Sequence, residues 1–138
     1  MIPALQNILD ELSAMPDSTE KLKFLLSLAD DLPEFPENEK TSKNKIHGCA
    51  SNAYLVAEYR NGKMYFRGDS DAQIPKGILA LFLFGCEGLA PQEILELSPE
   101  MFEKTGLKNI LSPSRVNGAY AIFARMKEEA GKCKMQNC

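Results

Sequence analysis

One short segment near the middle of the chain restricts the fold more than any other. Residues 51–60 depart from helical spacing and contain Tyr54, Val56 and Tyr59, Asn61-Gly62 follows directly, and a second short run occupies residues 63–67. Asn-Gly is a preferred pair for a two-residue hairpin turn, because both positions of that turn need a positive φ. We therefore predict one hairpin of two antiparallel strands.

Helical periodicity surrounds this hairpin. Segments 2–15 and 18–32 carry apolar residues at helical spacing, and prolines at 33 and 36 end the helical structure. After a turn predicted at residues 68–71, the apolar stretch around 78–83 predicts a helix across the sheet in the core. Short helices follow, and the last helix is predicted from Ser112 to about Gly131. The pattern predicts an α+β fold, with helices packed on a small antiparallel sheet.

Length and charge limit the class of protein. The 138 residues predict a single domain, residues 1–138, with a flexible C-terminal tail at about 132–138. The net charge is −3 and basic residues are interleaved with acidic ones, which argues against a nucleic-acid partner. The first residues contain no signal-peptide core, and the longest apolar run, residues 78–84, is too short to cross a bilayer. We expect a cytoplasmic protein with no membrane partner.

Four cysteines lie at positions 49, 86, 133 and 138. In a reducing cytosol we do not expect structural disulfides, and the spacing, with a single histidine, does not predict a metal site. Cys86 follows the apolar helix among small residues, so simple burial is the preferred interpretation. Cys133 and Cys138 lie in the predicted tail, and no role is assigned to them.

Cys49 is the strongest candidate for chemistry. It lies between a polar loop and the first strand, and Gly48 gives the backbone freedom there. The reactive form is the thiolate, and His47 and Lys45 are candidates to lower the pKa of the thiol. The alternative is that Cys49 is a small buried apolar residue. These local features leave both interpretations open.

Two further groups are singled out by position. Asp69, Ser70 and Asp71 lie in the predicted turn before the apolar helix, where they can cap that helix. Arg115 lies in the first turn of the last helix, where a cation opposes the helix dipole. We therefore expect a buried carboxylate or a bound anion as the partner of Arg115.

Three short motifs occur in a fixed order along the chain. They are IHGCAS at residues 46–51, GDSDA at 68–72 with Lys76-Gly77, and LSPSR at 111–115 with Gly118. In order and spacing this set resembles the SufE/CsdE family, and the resemblance extends from the first helix to about Ala130.

The resemblance implies both a function and a fold. SufE-like proteins accept sulfur from the persulfide of a SufS/CsdA-type cysteine desulfurase, stimulate that enzyme, and pass the sulfur to iron–sulfur cluster assembly, for example to a SufBCD-type complex. It places the acceptor on Cys49 and supporting roles on His47, Gly48, Ser51, Asp69, Asp71 and Arg115. It implies a fold like that of IscU, no pyridoxal phosphate or other cofactor of the chain's own, and no enzymatic activity of its own.

The resemblance leads to two hypotheses about the loop that carries Cys49. Apolar residues, including Ile46 and Tyr54, shelter the sulfur until a partner binds, and Arg115 with Asp69 or Asp71 braces the loop. Two alternatives stay open. One is an IscU-like scaffold that binds a metal or a cluster, which needs three converging ligands. The other is a small cysteine hydrolase, in which His47 would be the base.

Overall fold

The structure is a computed structural model and describes residues 3–49 and 51–136. Helices form most of the fold, around one hairpin. The elements, in chain order, are α1 (Pro3–Ala14), α2 (Ser18–Asp30), β1 (Ala53–Arg60), β2 (Lys63–Ser70), α3 (Gln73–Cys86), α4 (Pro91–Leu95), α5 (Glu100–Glu103) and α6 (Pro113–Gln136), with 3₁₀ turns at Glu37–Glu39 and Leu107–Asn109.

The predicted hairpin is confirmed. β1 and β2 pair antiparallel, from Arg60 opposite Lys63 at the turn to Ala53 opposite Ser70 at the far end. Asn61 has a φ of 52° and Gly62 has a φ of 80°. Because both turn residues adopt positive φ, the turn twists in the sense that the two strands require.

The second strand is longer than predicted. β2 runs to Ser70, so the predicted turn at residues 68–71 is wrong for its first three positions. Gly68 and Ser70 are buried on one face of the strand, whereas Asp69 points to the other face. The predicted capping is also wrong, since α3 begins after Ala72 without any side-chain cap.

Helix α3 is the centre of the core, as predicted. It packs on β2 and on α1, α2 and α6, and Ile78, Leu79 and Leu81 are almost fully buried. A Cβ on Gly77 would lie 2.4 Å from the backbone oxygen of Leu25, so only glycine allows α2 to approach this closely. Although α3 is nearly all apolar, no helix in the described part of the chain is both long and apolar enough to cross a membrane.

Helix α6 extends beyond its predicted end. It continues to Gln136, so residues 132–136 of the predicted tail are helical, while Asn137 and Cys138 lie outside the described residues. The helix packs against α3 and α4 and also touches β1. It therefore runs beside the segment that enters the hairpin.

The segment between α2 and β1 crosses the outer face of the hairpin. Phe35 stacks on Tyr54, with ring centroids 6.3 Å apart. Arg67 on β2 forms an ion pair with Glu39, and Lys40 Nζ lies 3.4 Å from the Asp69 carboxylate. These contacts fix the path of the chain up to the point where the Cys49 motif begins.

Candidate functional site

Cys49 lies in a loop held closed at its base. The Ile46 N–H donates to the Ala53 carbonyl and the Leu55 N–H donates to the Asn44 carbonyl, each at 2.8 Å. Residues 44–46 thus run antiparallel to the start of β1, and residues 47–52 form the loop between them, with Ala50 outside the described residues. Because these two backbone hydrogen bonds hold the base, the loop itself is the part whose conformation can change.

The sulfur of Cys49 is turned towards α6. The side chain is half-buried, and its Sγ lies 3.6 Å from the Gly118 carbonyl, to which the thiol donates a weak hydrogen bond. Burial raises the pKa of the Cys49 thiol. The expectation that His47 and Lys45 lower this pKa is therefore wrong for the structure, because removal from water disfavours the thiolate and no cation among the described residues offsets that effect.

A small cleft surrounds the sulfur. Its walls come from the loop, from the beginning of α3 and from the first turns of α6. The lining residues are Cys49, Ser51, Pro75, Ile78, Ser114, Arg115, Gly118, Ala119 and Ile122. Neither Ile46 nor Tyr54 is among them, since Ile46 is buried in the core and Tyr54 stacks on Phe35. The cleft therefore gives no support to the hypothesis that these two residues shelter the sulfur.

Gly48 gives the loop a conformation that other residues rarely adopt. Its φ is +92°, and a Cβ at this position would lie 3.2 Å from the Cβ of Ala121 on α6. Both the backbone angle and the close approach favour glycine. Gly48 therefore allows the loop to lie flat against the helix, with the adjacent sulfur in the cleft.

Asp71 ties the far end of the loop to the end of β2. Its carboxylate accepts from the Asn52 backbone N–H at 3.0 Å and from the Asn52 side-chain amide at 2.9 Å. The Ser51 and Ser70 hydroxyls lie 3.1 Å apart and share a hydrogen bond. The loop is thus held at residues 51 and 52 by polar contacts with the segment that leads into α3.

The other predicted supporting residues are not brought together with Cys49 in the same way. Asp69 lies on the outer face of the hairpin, where Lys40 and Lys76 approach its carboxylate to 3.4 and 3.3 Å. His47 is exposed at the start of the loop. Of the two aspartates proposed to brace the loop, Asp71 holds the loop itself, whereas Asp69 holds the segment that precedes it.

Arg115 lies at the cleft without the expected carboxylate. It is exposed in the first turn of α6 and lines the cleft with Cys49. Among residues 3–49 and 51–136, its guanidinium forms no hydrogen bond and no ion pair. The prediction of a buried carboxylate partner is therefore wrong, and the expectation of a bound anion stays a prediction.

One residue at the site has no counterpart in the sequence predictions. Arg125 on α6 donates to the Lys45 carbonyl at 2.8 Å and to the Lys43 carbonyl at 2.9 Å. Its partners are backbone oxygens, which every residue carries, so no motif marks them. The only local signal was Glu129 four residues later, at the spacing of a helical ion pair.

Cys86 and Cys133, the other two cysteines among the described residues, do not join Cys49. Cys86 ends α3 in the core with 1% exposure, and burial raises its pKa to about 12. Cys133 is half-buried on α6. In the part of the chain that the structure describes, no group of three His, Cys, Asp or Glu side chains is arranged to hold a metal ion. The scaffold alternative, which needs such a group, finds no support there.

Comparisons with known proteins show which family the chain belongs to. A family model described as "SufE: Fe-S metabolism associated domain" matches residues 6–130. An uncharacterized SufE-like protein of Synechocystis sp. is 41% identical over 128 residues, covering 93% of this chain and 80% of that protein. The cysteine desulfuration protein SufE of Wigglesworthia glossinidia brevipalpis is 33% identical over 126 residues, covering 90% and 88% of the two chains.

A solved structure has the same fold. The solution structure of a hypothetical protein from Thermus thermophilus superposes with a TM-score of 0.84, covering 98% of both chains at 23% identity. At that identity the match concerns the fold alone, and it agrees with the predicted helices on a small antiparallel sheet. Because the family model and both relatives cover most of the chain, this protein belongs to the SufE family of iron–sulfur metabolism.

Proposed function

We propose that this protein accepts a sulfur atom on Cys49 from the persulfide of a pyridoxal-phosphate cysteine desulfurase, stimulates that enzyme, and delivers the sulfur for iron–sulfur cluster assembly. The main support for the proposal is that, in a chain of the SufE family, Cys49 lies on a loop beside a small cleft. Its thiol lies in a loop of residues 47–52 that is closed at its base and turned into a small cleft. A carrier needs a thiol that is sheltered at rest and can also move towards a partner.

The transfer step is a thiol–persulfide exchange. The Cys49 thiolate attacks the outer sulfur of the donor persulfide, a new S–S bond forms on Cys49, and the original S–S bond breaks to release the donor thiolate. No net oxidation occurs, so no electron acceptor is needed. No general base is needed either once the Cys49 proton has passed to solvent, in contrast to the hydrolase alternative.

The cleft and the raised pKa suggest two positions for the loop. In the resting position the thiol is half-buried and protonated, and it donates to the Gly118 carbonyl. Attack requires a thiolate that a partner can reach, so the loop must leave the cleft when the desulfurase docks. After transfer, return to the cleft keeps the persulfide away from water, oxidants and free thiols.

We assign supporting roles to the residues around the Cys49 loop from the contacts that they make. Gly48 allows the flat resting loop, Ser51 and Asp71 hold its far end, and Asp69 fixes the segment before it. Two exposed side chains are available to a docking partner: Arg115 at the cleft and His47 at the start of the loop. We propose a cytoplasmic site of action, with a SufS/CsdA-type desulfurase as donor and a SufBCD-type complex as recipient.

The test is sulfur uptake measured on the intact protein. The chain is mixed with the cysteine desulfurase of its host and L-cysteine in the absence of a reductant, and mass spectrometry follows the addition of about 32 Da, the mass of one sulfur atom. Cys49→Ser should show no addition and should not stimulate desulfurase turnover. The matched control, Cys86→Ala, should keep both, because its sulfur is enclosed in the core. Uptake by Cys49→Ser, or none by the natural chain beside an active desulfurase, would refute the proposal.

A further inference from the structure

One face of α6 follows the Cys49 loop from the sulfur back to its entry. Gly118 accepts from the Cys49 thiol, Ala121 faces Gly48, and Arg125 meets the backbone at Lys43 and Lys45. Positions 118, 121 and 125 share one side of an α-helix. The helix thus touches the loop at its reactive atom, at its glycine and at its base.

The contact at the base is the strongest of these. Arg125 Nη1 donates to the Lys45 carbonyl at 2.8 Å and Nη2 donates to the Lys43 carbonyl at 2.9 Å. Its Nε donates to Glu129 at 3.1 Å, and the arginine side chain is only 14% exposed. The planar guanidinium therefore has a fixed orientation, with one nitrogen on each of two backbone oxygens.

We propose that Arg125 is a positioning residue that holds the Cys49 loop in its resting place. This inference rests on the proposed function for its purpose, but its geometry is independent of sulfur transfer. The segment at residues 43–46 is the base on which the loop turns. While Arg125 holds two carbonyls of that base, the loop is kept against α6 and the sulfur stays in the cleft.

Lysine cannot replace arginine in this role. An ammonium group is a single point donor on a flexible stem, so it cannot span two carbonyls in a fixed orientation. Arg125→Lys therefore keeps the charge and loses the geometry. This difference separates positioning by the guanidinium from a long-range electrostatic effect on the Cys49 thiol.

The test measures how often the loop opens, in the absence of any desulfurase. The reduced full-length protein is treated with iodoacetamide, and peptide mass spectrometry follows the alkylation of Cys49. In Arg125→Met and in Arg125→Lys, Cys49 should be alkylated about tenfold faster than in the natural chain. This factor corresponds to the loss of one charge-assisted hydrogen bond. Arg60→Met, an exposed arginine that contacts Tyr65 at the hairpin turn, is the matched control and should react like the natural chain.

Hydrogen exchange distinguishes positioning from general stability. In both Arg125 variants, faster exchange should be confined to amides of residues 43–52. Each of three results would overturn the proposal. They are an unchanged alkylation rate of Cys49 in both variants, an alkylation rate in Arg125→Lys equal to that of the natural chain, and a uniform rise of hydrogen exchange along the chain. Because none of these measurements involves sulfur transfer, a failure of Cys49 to accept sulfur would leave this result intact, and the two proposals fail separately.

Discussion

Cys49 and Cys86 are two free thiols, the first half-buried and the second buried, and burial raises the pKa of each. Their backbones differ. Cys86 ends α3 and belongs to the buried core, so its sulfur reaches solvent only if the core opens. Cys49 lies on a loop that is closed at its base and held at its far end by hydrogen bonds to Asp71. The difference teaches that burial alone does not decide reactivity: what matters is how much structure must be broken to expose the sulfur.

The largest expected effect is the difference in alkylation between these two thiols. In the native, reduced protein at pH 8, iodoacetamide should modify Cys49 at least about a hundredfold faster than Cys86, because only the exposed thiolate reacts. Peptide mass spectrometry at timed intervals measures both rates in one sample. Similar alkylation rates at Cys49 and Cys86 in the native protein would contradict this prediction. In denaturant the two rates should be equal, which provides the internal control.

The second effect concerns stability at alkaline pH. Burial raises the pKa of Cys86 from 9.0 to about 12, so the unfolded chain loses this proton before the folded chain does. The contribution of the neutral thiol is complete below pH 9 and is lost as the pH rises towards 12. By pH 10.5 the loss is about 2 kcal/mol in the free energy of unfolding.

Denaturant unfolding of the natural chain and of Cys86→Ala at several values between pH 8 and 10.5 checks this effect. The free energy of unfolding of the natural chain should fall more steeply with pH. All other titrating groups are common to both proteins, so parallel curves would show that Cys86 titrates normally and is less enclosed than the structure indicates.

The smallest effect concerns the far end of the loop. Asp71→Ala removes the two hydrogen bonds that the carboxylate accepts from Asn52 and keeps the backbone hydrogen bond from the Asp71 N–H to the Asn52 carbonyl. The two lost bonds are exposed, so the loop should open more often and Cys49 should be alkylated about fivefold faster. Asp30→Ala, an exposed aspartate at the end of α2, is the control. The alkylation of Cys86 should not change in either variant. A rise at Cys86 as well would mean that Asp71 stabilises the whole fold rather than the loop.

Much of the fold could be predicted because its signals are local. Asn61-Gly62 specifies the hairpin turn through its backbone angles, and the apolar run in α3 cannot be placed anywhere but in the core. The error at residues 68–70 has a tertiary cause. Gly68, Asp69 and Ser70 are typical turn residues, but pairing with β1 and contact with α3 draw them into the strand, and two lysines satisfy the carboxylate of Asp69.

The sequence by itself determined which cysteine we propose as the sulfur acceptor and which family the chain resembles, since both depend on short motifs in a fixed order. Only the tertiary structure decided what surrounds that sulfur. The cleft is built from α3 and α6, far from Cys49 in sequence, and the pKa of its thiol is raised because those walls exclude water. The contacts of Arg125 likewise go to backbone oxygens that no residue type reveals. Such interactions depend on where the chain returns in space, and that is fixed by packing rather than by any local pattern.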